Sequence, residues 1–154
     1  MYQLLRTLLV ILPIAVSGLP AAAADNDAHH GTATNGQIVS PETIDGVINV
    51  GAEGLIEKVM EIPELVLIDS RITSDRKEGY IEGSISLPDI ETSCETLAAT
   101  IRTTSTPVLF YCNGIKCGRS ARAAQIALDC GYKEIYWYRN GMEEWQEKQY
   151  PLVQ

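Results

Sequence analysis

The stretch VLFYCNGIKCGRSARAAQIALD, Val108 to Asp129, changes character twice. Val108 to Cys112 is a short apolar run without polar alternation, the pattern of a strand buried on both faces. Arg119 to Asp129 has helical spacing, which with the next residue sets Ala123, Ile126, Ala127 and Cys130 on one face. Between them NGIKCG carries Gly114 and Gly118, which permit tight or left-handed turns. Strand, glycine-bearing loop and helix make the unit of a parallel α/β sheet. Ligands of such sheets bind beyond the carboxyl ends of the strands, where helix amino termini also point. Cys112 occupies that place. Converging N–H groups of the loop, the positive end of the helix and Lys116 or Arg119 would stabilise its thiolate and lower its pKa.

The alternation continues outward. VINV (Val47 to Val50), LVLID (Leu65 to Asp69), SISL (Ser84 to Leu87) and IYWY (Ile135 to Tyr138) read as further strands. Leu55, Ile56, Val59 and Met60 share one helical face, and Cys94, Leu97, Ala98 and Ile101 share another. A chain of 154 residues accommodates one such core, and no internal repeat is present. The expectation is a single α/β domain with a mainly parallel sheet. Cys94 and Cys130 fall in phase with core positions and read as small buried hydrophobes. Thr92 and Glu95 read as a capping box around Cys94, and Gly131 as the stop of the helix before it. Trp137, Tyr138 and Trp145 read as core and rim aromatics.

The first residues have a different composition. Arg6, the apolar stretch TLLVILPIAVSGL and the small residues PAAAA make residues 1–24 a signal peptide pattern, cleaved after Ala24, with an uncleaved anchor as the rival reading. The apolar stretch falls short of the roughly 18 residues of a membrane span, and Pro13 and Pro20 interrupt it. Residues 25–37, DNDAHHGTATNGQ, read as a disordered linker, and His29 and His30 lack the Cys or carboxylate spacing of a metal site. The folded domain is expected over 38–154, periplasmic or secreted, with no stable membrane span after cleavage. Four cysteines in an exported chain permit disulfides. Net charge is −8, which argues against nucleic acid as a partner. No Asp or Glu occurs from Thr96 to Leu128, whereas Arg102, Lys116, Arg119 and Arg122 do, so the cysteine loop is expected to be locally positive and suited to a small anion.

LIDSR (Leu67 to Arg71), GYIEGSISLP (Gly79 to Pro88), YCNGIKCGRSARAA (Tyr111 to Ala124) and GYKEIYWYRNGMEEW (Gly131 to Trp145) together resemble the ordered signatures of a single-domain rhodanese, a sulfurtransferase. The resemblance spans Asp45 to Leu152. It implies a five-stranded, mainly parallel sheet with helices on both faces, and a persulfide carried on Cys112 as the catalytic cysteine. Asn113, Gly114, Ile115, Lys116, Cys117, Gly118 and Arg119 would form the substrate loop, and Asp69 and Arg71 would brace it. No cofactor and no metal are implied. The loop is two residues longer than the family's common CxxGxRS and one longer than the related phosphatase loop. Tyr80 stands where many relatives carry His. Asn140 stands where a first Gly is common, a mild change because Asn tolerates left-handed backbone.

Three functions follow. The first is transfer of sulfane sulfur from a small anionic donor such as thiosulfate to a thiol or cyanide acceptor. The second is a thiol–disulfide or sulfur-carrier cycle between Cys112 and Cys117, served by a thiol reductant protein. The third is oxyanion binding or phosphatase chemistry, which neither the loop spacing nor a loop Asp supports. Cys117 is either a bystander on the loop or a resolving partner for Cys112.

Overall fold

A computed structural model describes residues 39–154. The leader (1–24), the linker (25–37) and His29 and His30 lie outside the described residues. In chain order the elements are β1 (Ile48–Asn49), α1 (Ala52–Glu61), β2 (Val66–Asp69), α2 (Thr73–Arg76), β3 (Ile85–Ser86), α3 (Cys94–Thr100), β4 (Val108–Tyr111), α4 (Arg119–Asp129), β5 (Ile135–Tyr138) and α5 (Gly141–Glu147). The five strands form one sheet in the order β1-β5-β4-β2-β3, every pairing parallel. Each strand expected from the sequence is present.

The central strands lack polar alternation because both faces are covered. Val108, Phe110, Ile135 and Trp137 face the cluster beneath α3 and α4, which also takes Leu97, Ile101, Ala123 and Ala127. Leu109, Tyr111, Tyr136 and Tyr138 point the other way, against Ala52 and Leu55 of α1 and Met142 and Trp145 of α5. The small residues of α4 let it lie close to the sheet. The edge strands β1 and β3 have only two residues each, both exposed.

Two helix readings need correction. On α1 only Ala52 and Leu55 are buried, while Val59 and Met60 are 47% and 79% exposed. Its contact is made by Ala52 and Leu55, with Ile56 half-buried against the same cluster, and β1 is too short to cover the last turn. On α3 the capping box belongs to Ser93 and Thr96, one residue later than expected. Thr96 N donates to Ser93 Oγ (3.2 Å) and Ser93 N to Thr96 Oγ1 (2.9 Å), while the Thr92 hydroxyl donates to the Pro88 carbonyl. Cys94 is therefore the first residue of the helix and exposed, and Cys130 is only half-buried. They are not separate buried hydrophobes but a disulfide, with Cα atoms 5.4 Å apart. Helix α4 ends as anticipated: Gly131 has φ +87°, its N–H donates to Leu128 O, and Tyr132 N donates to Ala127 O, a Schellman pair.

Candidate active site

Parallel pairing of β2, β4 and β5 brings their carboxyl ends together. Cys112 follows β4 directly and is 1% exposed. Its support is built from below by Asp69, the last residue of β2, which is fully buried. Arg71 holds Asp69 through Nε (2.9 Å), Nη2 (2.7 Å) and its backbone N–H (3.1 Å). Arg76 Nη1 adds a further bond at 3.0 Å, and the Tyr111 hydroxyl donates to Oδ2 at 2.9 Å. Burial opposes charge on Asp69, but the Arg71 hydrogen bonds and charge outweigh it and hold the carboxyl below its ordinary range. Burial and then the neighbouring Asp69 charge push the Tyr111 phenol well above its usual pKa, so it remains a donor. Because Tyr111 immediately precedes Cys112, this network fixes the strand end on which the cysteine sits. Arg71 also donates to Gly79 O (2.9 Å), and Arg76 stacks on the Tyr80 ring at 3.6 Å. Tyr80 thus closes the support from one side.

From the side, the first turn of α5 clamps the loop: Met142 N donates to Cys112 O (3.0 Å) and Glu143 N to Asn113 O (2.7 Å). This close approach needs Gly141, whose φ is +55° and whose missing Cβ would meet the Cys112 carbonyl. The left-handed residue is Gly141 and not Asn140, which has φ −71° and ψ −22°, so the tolerance argued for Asn140 is not used. Gly114 lies against the Glu143 carboxylate, and a Cβ there would overlap it. At the loop tip, the Ile115 carbonyl accepts from both the backbone N–H (3.0 Å) and the hydroxyl (2.9 Å) of Ser40.

Cys117 curls back through its N–H to Gly114 O (2.9 Å) and forms a disulfide with Cys112, Cα to Cα 6.2 Å. Cys112 is the buried sulfur of this pair, and Cys117 is half-buried. Among the described residues, the N–H groups of Gly114, Ile115, Lys116 and Gly118 donate to no protein acceptor. Gly118 caps α4.

The expected positive neighbourhood is corrected by residues from other segments. Asp75 Oδ2, from α2, accepts from Arg119 Nη1 (3.2 Å) and from Asn113 Nδ2 (2.8 Å). Asp89, after β3, lies 3.9 Å from Arg119 Nε and 3.5 Å from Arg122 Nη1. Lys116 is exposed and takes part in no ion pair among the described residues. A cavity of about 250 Å³ beside Asn113 is lined by Arg71, Asp75, Glu78 and Glu143. The acid-free run from Thr96 to Leu128 is real along the chain, but folding supplies the missing carboxylates. Asp75, Asp89, Glu143 and Ser40 were not foreseen as part of the site. No group of three or more His, Cys, Asp or Glu suited to a metal occurs among the described residues.

The model of the rhodanese-like domain matches residues 52–148, well over half of the chain. The chain belongs to the rhodanese-like family. No curated protein matches it. Solved structures similar to this rhodanese-like chain include the BH2092 protein of Bacillus halodurans, 19% identical with TM-score 0.62, covering 69% of this chain and 76% of that one. A thiosulfate sulfurtransferase of Pseudomonas aeruginosa is 22% identical with TM-score 0.58, over 70% of this chain and 20% of that one. The polysulfide-sulfur transferase homodimer of Wolinella succinogenes is 21% identical with TM-score 0.56, over 70% and 79%. At these identities the structural likenesses establish the fold. The family match supports sulfur transfer as the general class of chemistry.

Proposed function

We propose that this rhodanese-like protein is an exported sulfurtransferase that takes a sulfane sulfur from a small anionic donor such as thiosulfate and holds it as a persulfide on Cys112. The observation that carries the reading is the seat of Cys112. It closes a central strand on the Asp69–Arg71–Tyr111 support and is followed by a loop in which the N–H groups of Gly114, Ile115, Lys116 and Gly118 are uncommitted. A thiolate there attacks the outer sulfur of thiosulfate. A sulfur–sulfur bond forms to Cys112, the bond to the sulfonate sulfur breaks, and sulfite leaves with the electron pair. Loop N–H groups facing the perthiolate would stabilise it as they would an oxyanion. A thiol or cyanide then takes the outer sulfur and returns the thiolate.

Export is supported by the pairing of all four cysteines, which suits an oxidising compartment, and by the leader pattern. The second reading, a dithiol–disulfide cycle, is favoured by the Cys112–Cys117 bond. In the first reading this bond must be reduced before sulfur is loaded, by a dithiol protein or small thiol.

Intact-mass spectrometry of pre-reduced protein after thiosulfate tests the proposal. We expect a gain of about 32 Da, the mass of the transferred sulfur, in protein whose Cys117 is replaced by Ala. The gain should disappear with cyanide and be absent from Cys112→Ser. Persistence of the adduct in Cys112→Ser would sink the assignment.

A further inference from the structure

We infer that Cys117 resolves the Cys112 persulfide within the loop, so that the protein releases sulfane sulfur as hydrosulfide and not only by transfer to an acceptor. The inference rests on the sulfur-transfer reading above and names what becomes of the sulfur. Three observations carry it. The bond between Cys112 and Cys117 shows that this loop lets the Cys117 sulfur occupy a bonding position on Cys112 Sγ, the inner sulfur of a persulfide. The loop is already held for that approach: the Cys117 N–H to Gly114 O bond folds it back, Asp75 Oδ2 pins Asn113 and Arg119, and Glu143 N holds Asn113 O. Cys112 is 1% exposed, so an external thiol meets it less readily than a neighbour five positions along the chain.

The step balances without an added oxidant. Cys117 sulfur attacks Cys112 Sγ, the bond from Cys112 Sγ to the outer sulfur breaks, and the outer sulfur departs with the electron pair. The Cys117 proton ends on that sulfur, which leaves as HS⁻. The two cysteine sulfurs are oxidised to the disulfide, and the sulfane sulfur is reduced. A dithiol reductant then reopens the bridge by attacking Cys117, the more accessible sulfur, with Cys112 as the leaving thiolate. Over one cycle, thiosulfate and a dithiol yield sulfite, hydrosulfide, one proton and the oxidised dithiol. Hydrosulfide is a weaker base than an alkyl thiolate, which favours its departure. A preformed intramolecular geometry gives the attack an effective concentration far above that of millimolar external thiol.

The experiment uses the full chain, pre-reduced and freed of reductant, with thiosulfate labelled in its outer sulfur. Sulfite, labelled sulfide, intact mass and alkylated peptides are followed through a single turnover. The wild-type protein should release one labelled sulfide for each sulfite, with loss of the Cys112 and Cys117 thiols and no lasting adduct. Cys117→Ser should release sulfite, keep the label on Cys112, and liberate sulfide about 100-fold more slowly, as loss of a well-oriented neighbour predicts. Cys117→Ala should behave alike, which separates a missing nucleophile from a misfolded loop. Wild-type protein that keeps the Cys117 thiol free and holds its label on Cys112 as long as the variants would overturn the inference alone. Absence of sulfite from wild type and variants alike would overturn the sulfur-transfer reading and this inference together.

Discussion

The two disulfides do opposite things with the same bond. Cys94–Cys130 closes 36 positions of sequence and ties the first residue of α3 to the end of α4. Cys112–Cys117 closes five positions and lies wholly within the loop before α4. In the chain-entropy view a bridge over 36 positions stabilises by about 4 kcal/mol and one over five by about 2 kcal/mol. Both bridges restrict the unfolded chain, the outer one more, and the inner one lies in a segment that the Asp69 support, the α5 clamp and Asp75 also hold in the folded protein. The smaller contribution of the inner bond lets it be opened and remade at less cost to the fold than the outer one. Location therefore separates a structural staple from the pair proposed to open and close, although both span Cα distances ordinary for disulfides, 5.4 and 6.2 Å.

The largest effect expected from this contrast falls on the outer bridge. Cys94→Ala with Cys130→Ala should lower unfolding free energy in denaturant by about 4 kcal/mol while sulfur loading per folded molecule stays within twofold. If loading fell with stability unchanged, the staple would belong to the site and the division of labour would be broken.

Asp69→Asn tests whether the bed, and not the inner bridge, holds the loop. Arg71 would keep a buried charge with only a neutral partner, at a cost of about 3 kcal/mol or more, larger than the loss from opening Cys112–Cys117. The pH dependence has a definite sign. The folded pKa of Asp69 is depressed, so its contribution is full above the unfolded value of about 3.9 and fades as pH falls towards the folded value. Acid unfolding of Asp69→Asn should lack that component. A variant as stable as wild type at neutral pH would show that the inner bridge, and not the Asp69 support, holds the loop.

Much of this frame was legible in the sequence. Strands β2, β4 and β5 stand out because burial on both faces removes polar alternation, and α4 is bounded by its loop glycines and Gly131. Val59 and Met60 were misread because periodicity gives the direction of a helical face but not whether anything lies opposite it. Cys94 and Cys130 failed for a related reason: a position in helical phase with the core can also face a neighbouring helix. The acids of the site were hidden by distance along the chain. Asp75 meets Asn113 and Arg119 across 38 and 44 positions, so no local window contains the pair.

That long-range contact gives the smallest and most selective prediction. Asp75 Oδ2 holds Arg119 Nη1 and Asn113 Nδ2, and both Asp75 and Arg119 are partly exposed, at 27% and 34%. Solvent limits such a pair to about 0.5 kcal/mol, so Asp75→Asn should leave global stability nearly unchanged. An amide oxygen can still accept the two hydrogen bonds, but the negative charge beside the loop is gone. Arg119 then acts less hindered on a thiolate or an anion in the loop. Half-saturation by thiosulfate should fall about twofold, and the inner bridge should become easier to reduce by about 10 mV, the equivalent of 0.5 kcal/mol for a two-electron couple. The outer bridge should not move, which gives an internal reference in the same titration. Added salt should shrink the thiosulfate effect because exposed charges are screened. Equal shifts in both bridges, or a weaker response to thiosulfate in the variant, would show that Asp75 holds the loop in shape and does not temper its charge.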